Sequence, residues 1–355
     1  MSVPDVSVVL CTYNRAGMLR ECIQSLQSQR TSGEFTYEII VVDNSSTDET
    51  PAVVAELAKN SSVPMKYVME RKPGQVHARH SGFREASGHW IANFDDDEVA
   101  EPSWLLELLR LAKEKNVRCV GGLLWLRLPD GCQRNLHPRV RRMLGESVTW
   151  PEPRPYTRTQ GPGSGNQLIH RSILDEVGIY DLSHQVRGYD TDHYRRIRKA
   201  GIESWFTPRA VAYHITPESR LTSQYLRDTC FHDGWCFCRR DLAHYGAFLC
   251  AAIALCRILY TLTIYLPASW ISELFGQTEA AIAYTVLLKR TEGYVRCYLY
   301  SVAPKLFAQP AMFERYRLPR HATDQTFLAP QEITSADFSN GEKSIEASRS
   351  NEAAK

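Results

Sequence analysis

Apolar and polar residues alternate in blocks over the first 115 positions, and the blocks predict strands and helices in turn. Runs of β-branched and apolar residues predict buried strands, while apolar positions three or four residues apart predict amphipathic helices. This order favours a parallel sheet covered by helices on both faces. The predicted strands are 6–12, 37–43, 65–70 and 89–95, and the predicted helices are 16–29, 51–60, 75–87 and 102–115.

The pattern is less regular further along the chain. Residues 129–165 are rich in Pro, Gly and Arg, which predicts a long loop or insertion and a candidate mobile lid. A helix is predicted to begin near Asp190 and to end at Gly201, and extended chain is predicted over 203–215. From about residue 330 the chain is polar and nearly without aromatic residues, which predicts disorder.

A long apolar run occupies residues 246–266, where Arg257 is the one charged residue. Its 21 residues are enough to cross a bilayer, but an arginine near the centre disfavours insertion. Arg257, Tyr260 and Thr261 fall on one helical stripe, and a second apolar patch at 280–290 is too short to span. Three interpretations stay open: a helix pair on a membrane surface, a true span, or packing within a soluble protein or oligomer.

Composition narrows the class of protein. The 355 residues include 42 basic and 40 acidic side chains, so the basic excess expected of a nucleic-acid binder is missing. Ten cysteines without a paired framework indicate reduced thiols and a cytoplasmic location. The N-terminal residues have no basic segment followed by an apolar core, so we expect no secretory signal.

Four consecutive acids at 95–98 follow the fourth predicted strand. Capping of the next helix would account for one acid, and Glu101 and Ser103 could serve that purpose. Crowded carboxylates raise one another's pKa, whereas Mg²⁺ or Mn²⁺ joins carboxylates to substrate phosphates. Ligands bind at the carboxyl ends of strands in open sheets, where Asn14 and Asp43 also fall. The sequence therefore predicts a metal and phosphate site.

Several stretches between residues 6 and 215, taken in order, resemble family 2 of the nucleotide-sugar-dependent glycosyltransferases. The resemblance implies an α/β, GT-A-type fold: a Rossmann-like, mostly parallel sheet flanked by helices. We expect a catalytic domain at 1–215, a helical, membrane-associated region at 216–310 and a largely disordered tail at 311–355. The matching stretches are VSVVLCTYNR, EIIVVDNSSTDET, GQVHARHSGFREASGHWIANFDDDE, GSGNQLIHRSIL, VGIYD and GYDTDHYRRIRKAG.

The same resemblance implies a nucleotide-sugar site at the strand ends. By this resemblance, the first loop and the end of the second strand contact the nucleotide, and Asp43 contacts its base. The glycines of GPGSGN at 161–166 carry no lysine and do not follow a strand, so they predict a flexible segment beside the donor sugar rather than a P-loop. The implied nucleotide-sugar-binding residues are Thr12, Tyr13, Asn14, Arg15, Asp43, Arg79, Asp95, Asp96 and Asn166.

The implied metal ligands are Asp95, Asp97 and His214, with Mn²⁺ or Mg²⁺ as the cofactor. Asp95 and Asp97 fit the family's D-x-D motif, and Asp97 is the better match for direct ligation. The alternative in which Asp96 and Glu98 are the two acids of the motif stays open. His214 matches a further ligand in some relatives, although a lone histidine on a strand is often only hydrogen-bonded.

Asp190 is the predicted catalytic base, since relatives place an aspartate at this position to deprotonate the acceptor hydroxyl. Relatives commonly carry Glu-Asp there, whereas this chain has Tyr189 before Asp190. The alternative is that Asp190 or Asp192 only caps the helix.

These residues predict an inverting glycosyltransferase that moves one sugar from a nucleotide sugar, a UDP-sugar by family frequency, to a hydroxyl of a saccharide or lipid-linked saccharide. Surface polysaccharide or glycolipid biosynthesis is the expected context. The inner-membrane surface is a further expected partner, and the expected location is cytoplasmic, peripheral at the cytoplasmic face of the membrane. The alternatives are a polyprenyl-phosphate sugar transferase and an inactive nucleotide-sugar-binding scaffold.

Overall fold

The computed structural model describes residues 3–182 and 188–310, and the predicted tail at 311–355 lies outside the described residues. The strands in the described part are β1 (Val6–Thr12), β2 (Tyr37–Asp43), β3 (Met65–Met69), β4 (Trp90–Asp95), β5 (Glu98–Ala100), β6 (Cys119–Arg127), β7 (Arg154–Pro155), β8 (Asn166–His170) and β9 (Ser204–Ile215). The helices there are α1 (Ala16–Gln27), α2 (Thr50–Lys59), α3 (Gln75–Glu85), α4 (Trp104–Lys115), α5 (Pro138–Met143), α6 (Ser172–Val177), α7 (Tyr189–Lys199), α8 (Glu218–Leu221), α9 (Ser223–Tyr260), α10 (Leu266–Leu274) and α11 (Thr278–Val302).

The strand–helix alternation predicted for the first 115 residues is present in β1 to β4 and α1 to α4. The segment at 129–165, predicted as a loop, instead contains α5 and the short strand β7. Pro at the first position of α5 supplies a fixed backbone angle that suits a helix start, which explains a short helix in an otherwise irregular segment.

The strands form one sheet in the order β3-β2-β1-β4-β8-β6-β9-β5, with β7 paired to β9. The first four strands are parallel, so their carboxyl ends meet at one edge. The second half is mixed, because β8 runs antiparallel to both β4 and β6, whereas β6 and β9 are parallel. The predicted parallel character therefore holds for the half of the sheet built from the regular strand–helix repeat.

Helices cover both faces of the sheet, and β1 shows why. Its residues alternate between two cores, with Val8 and Leu10 against the layer of α1, α2 and α4. Val9 and Cys11 point to the opposite layer, which includes α3, α6 and α7. A strand that is buried on both faces needs a continuous apolar run rather than an alternating one, as the sequence has here.

The short strand β5 begins at Glu98, the last of the four acidic residues. It pairs antiparallel with β9, so that Glu98 lies opposite His214. The Ile215 amide also donates to the Asp97 carbonyl at 2.7 Å. This pairing joins two parts of the chain more than 100 residues apart at the functional edge.

The C-terminal helices form three packed segments, because the chain reverses direction at Gly246 and again after α10. The helix α9 is interrupted at Gly246, whose φ of 75° lies outside the helical range. The part after Gly246 continues through a π-helical turn at Thr261–Tyr265 into α10, and α11 then returns antiparallel to this side and parallel to the first half of α9. Hydrogen bonds between the hydroxyls of Thr261 and Thr291 and of Ser269 and Thr285 join the two sides.

Two glycines let the backbones of α9 and α11 touch. A Cβ on Gly234 would lie 1.9 Å from the Arg290 carbonyl oxygen, and one on Gly293 would lie 2.0 Å from the Phe231 carbonyl oxygen. Both distances are far below van der Waals contact. The crossing therefore requires glycine on both helices, and buried side chains such as Trp235 and Tyr294 pack around it.

We expect Gly293→Ala to destabilise the protein by about 1–3 kcal/mol, because the new methyl group forces the two helices apart. At an unhindered helix position the same change usually stabilises by about 0.4–1 kcal/mol, so the sign of the effect is informative. Chemical denaturation measures it. Gly17→Ala in α1 is the matched control, since nothing lies within 4 Å of its added Cβ. Equal changes in both variants would contradict the close crossing.

Candidate functional site

The loops after β1 and β2 are tied together at the carboxyl edge of the sheet. Asn14 adopts φ 51°, a left-handed conformation that Asn tolerates. Its side-chain oxygen accepts from the Thr47 amide at 2.7 Å, and its own amide donates to the Ser46 hydroxyl at 2.9 Å. Asp43 accepts from the Ser46 amide at 2.8 Å and from the Tyr67 hydroxyl at 2.7 Å. The strand ends thus form a fixed, polar rim.

The remaining residues of the first loop differ in exposure. Thr12 is buried at the end of β1, whereas the Tyr13 ring is exposed. Arg15 turns toward the acidic residues, where its Nη1 lies 3.4 Å from Asp97 Oδ2. Contacts of these side chains with a nucleotide stay predictions.

Arg79 lies beneath the acidic residues and holds Asp95. Its side chain on α3 is fully buried and forms an ion pair with the Asp95 carboxylate. The same guanidinium donates to the Val9 carbonyl and to the Asn93 side chain, both at 3.2 Å. The structure therefore gives Arg79 a positioning role within the protein, and its contact with a nucleotide stays a prediction.

Asp97 lies among cationic partners. Arg220 donates from Nη2 to Asp97 Oδ2 at 2.8 Å and from Nη1 to His214 Nε2 at 3.0 Å. The same Oδ2 lies 3.3 Å from His214 Nε2. Because β5 and β9 pair beside them, these groups meet although they are distant in sequence.

The acids at 95–98 differ in the direction in which their pKa values are shifted. Burial raises the pKa of Glu98 well above its usual range, and the nearby Asp95 and Asp97 raise it further. Burial and the Asp97 charge raise the pKa of Asp96 to about 6. Burial also acts to raise the pKa of Asp97, but its polar partners, among them the Arg220 and Arg15 guanidinium groups, outweigh it and lower that pKa well below its usual range. Guanidinium groups thus relieve part of the crowding that the sequence predicted a metal to relieve.

Helix capping does not account for the acids. The residue before α4 is Ser103, and its side chain makes no capping hydrogen bond. The backbone carbonyl of Glu101 instead accepts a hydrogen bond from the Trp104 amide. The acids at 95–98 lie at the end of β4 and in β5, away from the first turn of the helix.

The segment before β8 closes against the acids. A Cβ on Gly165 would lie 2.4 Å from Glu98 Oε1 and 2.6 Å from Asp95 Oδ2, so only glycine allows this approach. The neighbouring Asn166 faces the core, where it accepts from Trp104 Nε1 at 2.8 Å and donates to the Leu123 carbonyl at 3.1 Å. Its assignment to the nucleotide-sugar site stays a prediction.

Asp190 lies in the first turn of α7, which follows Gly188 at φ 92°. Tyr189 is buried, with its ring 5.0 Å from that of Tyr180 and its hydroxyl 3.3 Å from that of Ser164. Because Ser164 precedes the glycine that touches Asp95, this contact holds the start of α7 beside the acids. The charge of Asp190 accordingly contributes to the raised pKa of Asp95, after burial as the main cause.

The helix-cap alternative fits neither aspartate. The N-cap of α7 is Gly188, which has no side chain. Asp192 pairs with Arg196 at 2.9 Å one turn further along. Asp190 accepts from the amide of Thr191 at 2.7 Å and is partly exposed. Of the two aspartates in the first turn, Asp190 is therefore the one that does not pair with Arg196.

Asp97 Oδ2 and His214 Nε2 are two possible ligand atoms at a separation that fits a divalent cation. Octahedral ligands about 2.1 Å from a metal lie roughly 3 Å apart, close to the Oδ2–Nε2 separation of 3.3 Å. Among residues 3–182 and 188–310, no cluster of three His, Cys, Asp or Glu side chains could hold a metal. The pair therefore suits a cation whose other ligands come with a substrate phosphate. Ligation by Asp95 stays a prediction.

Sequence reasoning missed Arg220 entirely. It follows β9 in an irregular stretch, ITPESR, that carries no periodic signal. The role of Gly165 was also missed, although its segment was placed beside the donor sugar. Only the close approach of the backbone to Asp95 and Glu98 reveals it.

Residues 7–178 match the family model described as glycosyl transferase family 2. Glycosyltransferase AglE of Haloferax volcanii is 24% identical over 215 residues, which are 60% of this chain and 67% of that protein. The GalNAc(5)-diNAcBac-PP-undecaprenol beta-1,3-glucosyltransferase of Campylobacter jejuni is 32% identical over 124 residues, 34% of this chain and 39% of that protein. The latter match thus spans well under half of the Campylobacter enzyme.

A similar fold occurs in the mannosyltransferase PcManGT from Pyrobaculum calidifontis, solved in complex with GDP-Man and Mn²⁺. The TM-score is 0.54 at 18% identity, and the match covers 83% of this chain and 88% of that one. With the family match, this likeness confirms the predicted α/β, GT-A-type fold class.

We expect Arg79→Met to lower the free energy of unfolding by about 3 kcal/mol or more, because it leaves Asp95 without its buried partner. The double variant Arg79→Met/Asp95→Asn should recover a substantial part, since the uncompensated charge is gone. Denaturant unfolding with both variants measures this.

Arg110→Met is the matched control for that experiment. It removes an exposed ion pair with Glu34, which should be worth about 1 kcal/mol or less. A similar loss for Arg79→Met and Arg110→Met would contradict the central position of the buried pair.

Proposed function

We propose, from the match of residues 7–178 to the model of glycosyl transferase family 2, that this protein moves one sugar from a nucleotide sugar to a hydroxyl of a saccharide or lipid-linked saccharide. The chain is a glycosyltransferase. The observation that best supports the proposed reaction is the meeting of Asp97 and His214 at the strand edge where α7 also begins, with Asp190 in its first turn.

Asp97 and His214 are the residues that would hold a divalent cation, Mn²⁺ or Mg²⁺. Bound there, it supplies Lewis-acid neutralisation of the departing nucleoside diphosphate. Asp97 is well suited to this task because its lowered pKa keeps it ionised at neutral pH. The fully buried Arg79 keeps the neighbouring Asp95 in place.

Asp190 is the proposed general base. A carboxylate oxygen takes the proton of the acceptor hydroxyl as that oxygen attacks the sugar carbon from the side opposite the diphosphate. This direction of attack inverts the configuration at the carbon. Positioned general-base help is worth about 10²–10⁴-fold in rate. The buried Tyr189, where relatives have glutamate, fixes the start of the helix and so the place of Asp190.

The donor is proposed to be a UDP-sugar. The acceptor proposal draws on the name of the Campylobacter relative, which describes a lipid-linked saccharide as its substrate. Such an acceptor places the reaction in polysaccharide or glycolipid biosynthesis at a membrane.

The C-terminal helices supply an apolar surface for that membrane. By length and composition, the helical stretch Ser223–Leu274 could cross a bilayer, and most of its apolar window is exposed. Phe248 is 91% exposed and Leu274 is 81% exposed. Their chemistry favours lipid as the partner, because aromatic and aliphatic side chains follow one another over 246–266 with a single charge.

The one charge in the apolar run at 246–266, Arg257, is turned away from that surface. The Arg257 guanidinium stacks over the Tyr294 ring of α11 at 4.5 Å. Because α11 carries Lys289, Arg290 and Arg296, a crossing of both helices would bury several charges in lipid. We therefore propose that the pair lies on the membrane surface at the cytoplasmic face, in agreement with the free cysteines of the described residues.

A panel of UDP-, GDP- and dTDP-sugars with Mn²⁺ tests the donor and the base together. We expect one donor to raise the thermal midpoint and to release its nucleoside diphosphate. Asp190→Asn should keep the stabilisation but lower the release by about 10²–10⁴-fold. The matched control is Asp192→Asn, in the same helix turn, which should change the rate little. Stabilisation of the parent without any turnover would instead favour the inactive scaffold.

Vesicle binding tests the apolar surface. We expect Phe248→Ser/Trp270→Ser/Leu274→Ser to weaken sedimentation with phosphatidylglycerol-containing vesicles roughly tenfold or more, because each side chain loses apolar burial. The control replaces three exposed apolar residues elsewhere: Val3→Ser/Met69→Ser/Leu182→Ser. Equal binding by both triple variants and the parent would rule out this surface.

A further inference from the structure

Arg220 fills the space between the two proposed metal ligands. Its two terminal nitrogens reach Asp97 Oδ2 at 2.8 Å and His214 Nε2 at 3.0 Å, and its side chain is largely buried. An arginine N–H can only donate, so His214 Nε2 accepts and the proton of the neutral ring lies on Nδ1. The lone pairs of both groups are therefore directed at one cation.

A metal would need those same lone pairs. Neutral histidine binds a metal through the nitrogen that carries no proton, and carboxylate oxygen is the usual partner of Mg²⁺ or Mn²⁺. With the guanidinium in place, the single lone pair of His214 Nε2 is used, and a positive charge 2.8 Å from Asp97 Oδ2 opposes a second cation there. The contacts of Arg220 and of a metal at this pair are thus mutually exclusive.

The backbone around Arg220 is anchored, so the exchange involves its side chain. Arg220 lies in α8, a single turn between β9 and α9. The carbonyl of Leu221 accepts from Arg134 at 2.6 Å, and the Leu221 side chain is buried. The Thr222 hydroxyl caps α9 by accepting from the Tyr225 amide at 3.2 Å. The long arginine side chain can leave the pair while these contacts stay intact.

We propose that Arg220 is an internal competitor of the metal, which occupies Asp97 and His214 until a cation displaces it. Free metal then binds weakly, since each cation must break two charge-assisted hydrogen bonds. The diphosphate of a donor offers the displaced guanidinium a new anionic partner, so donor and metal favour each other's binding. This second step rests on the proposed function, whereas the competition for free metal does not.

The test is a titration with Mn²⁺ alone, in which electron paramagnetic resonance counts the unbound ion. Arg220→Gln should bind Mn²⁺ roughly tenfold or more tightly than the parent, because the competing hydrogen bonds are gone. Arg220→Lys, which keeps one cation but loses the two-pronged contact, should fall between them. The double variant Arg220→Gln/His214→Ala should lose the gain. Thermal midpoints confirm that each variant is folded.

Arg15→Gln is the matched control. It also removes a positive charge beside Asp97, from a distance of 3.4 Å, and so reports the effect of the local field alone. An equal gain for Arg15→Gln and Arg220→Gln would overturn the proposal, as would equal Mn²⁺ affinities of parent and Arg220→Gln. A different result would contradict the proposed transfer reaction, namely that no nucleotide sugar stabilises the parent or any variant or is hydrolysed by it.

Discussion

The contact of Asp97 with the cations around it is the interaction on which the functional edge depends. It joins the end of β4 to β9 and to the link that leads into the C-terminal helices. A buried carboxylate is costly unless it is paired, so these segments are held together by the need to neutralise one charge. Arg79 does the same for Asp95 from the other side of the sheet edge. Contacts within the chain thus fix the positions of the acids.

The sequence predicted the regular half of this protein well, because each strand and helix from 6 to 115 carries its own periodic signal. The positions of Asp97 and His214 at one site came from the family resemblance rather than from such a signal. Three-residue β5, which brings the two together, is too short and too polar to be recognised. Arg220 was missed for a related reason: an ion pair between distant residues leaves no local pattern.

Crowded carboxylates do not by themselves require a metal, because the fold brings arginines to the acids at 95–98. Those arginines come from distant parts of the chain, so a count of local charges leaves them out. Burial raises the pKa of Glu98, and three guanidinium groups pair with Asp95 and Asp97. The feature that favours a cation is more specific, namely an oxygen and a nitrogen lone pair at ligand spacing.

The glycine crossing of α9 and α11 has a consequence for sidedness. A hydropathy plot would count the long apolar stretch as one passage through a bilayer and assign the next segment to the far compartment. Because α11 is locked to the first half of α9 at Gly234 and Gly293, and is hydrogen-bonded to the apolar side through Thr291 and Thr285, the apolar stretch cannot cross a bilayer by itself without breaking these contacts. Its length alone therefore does not assign the following residues to the far compartment.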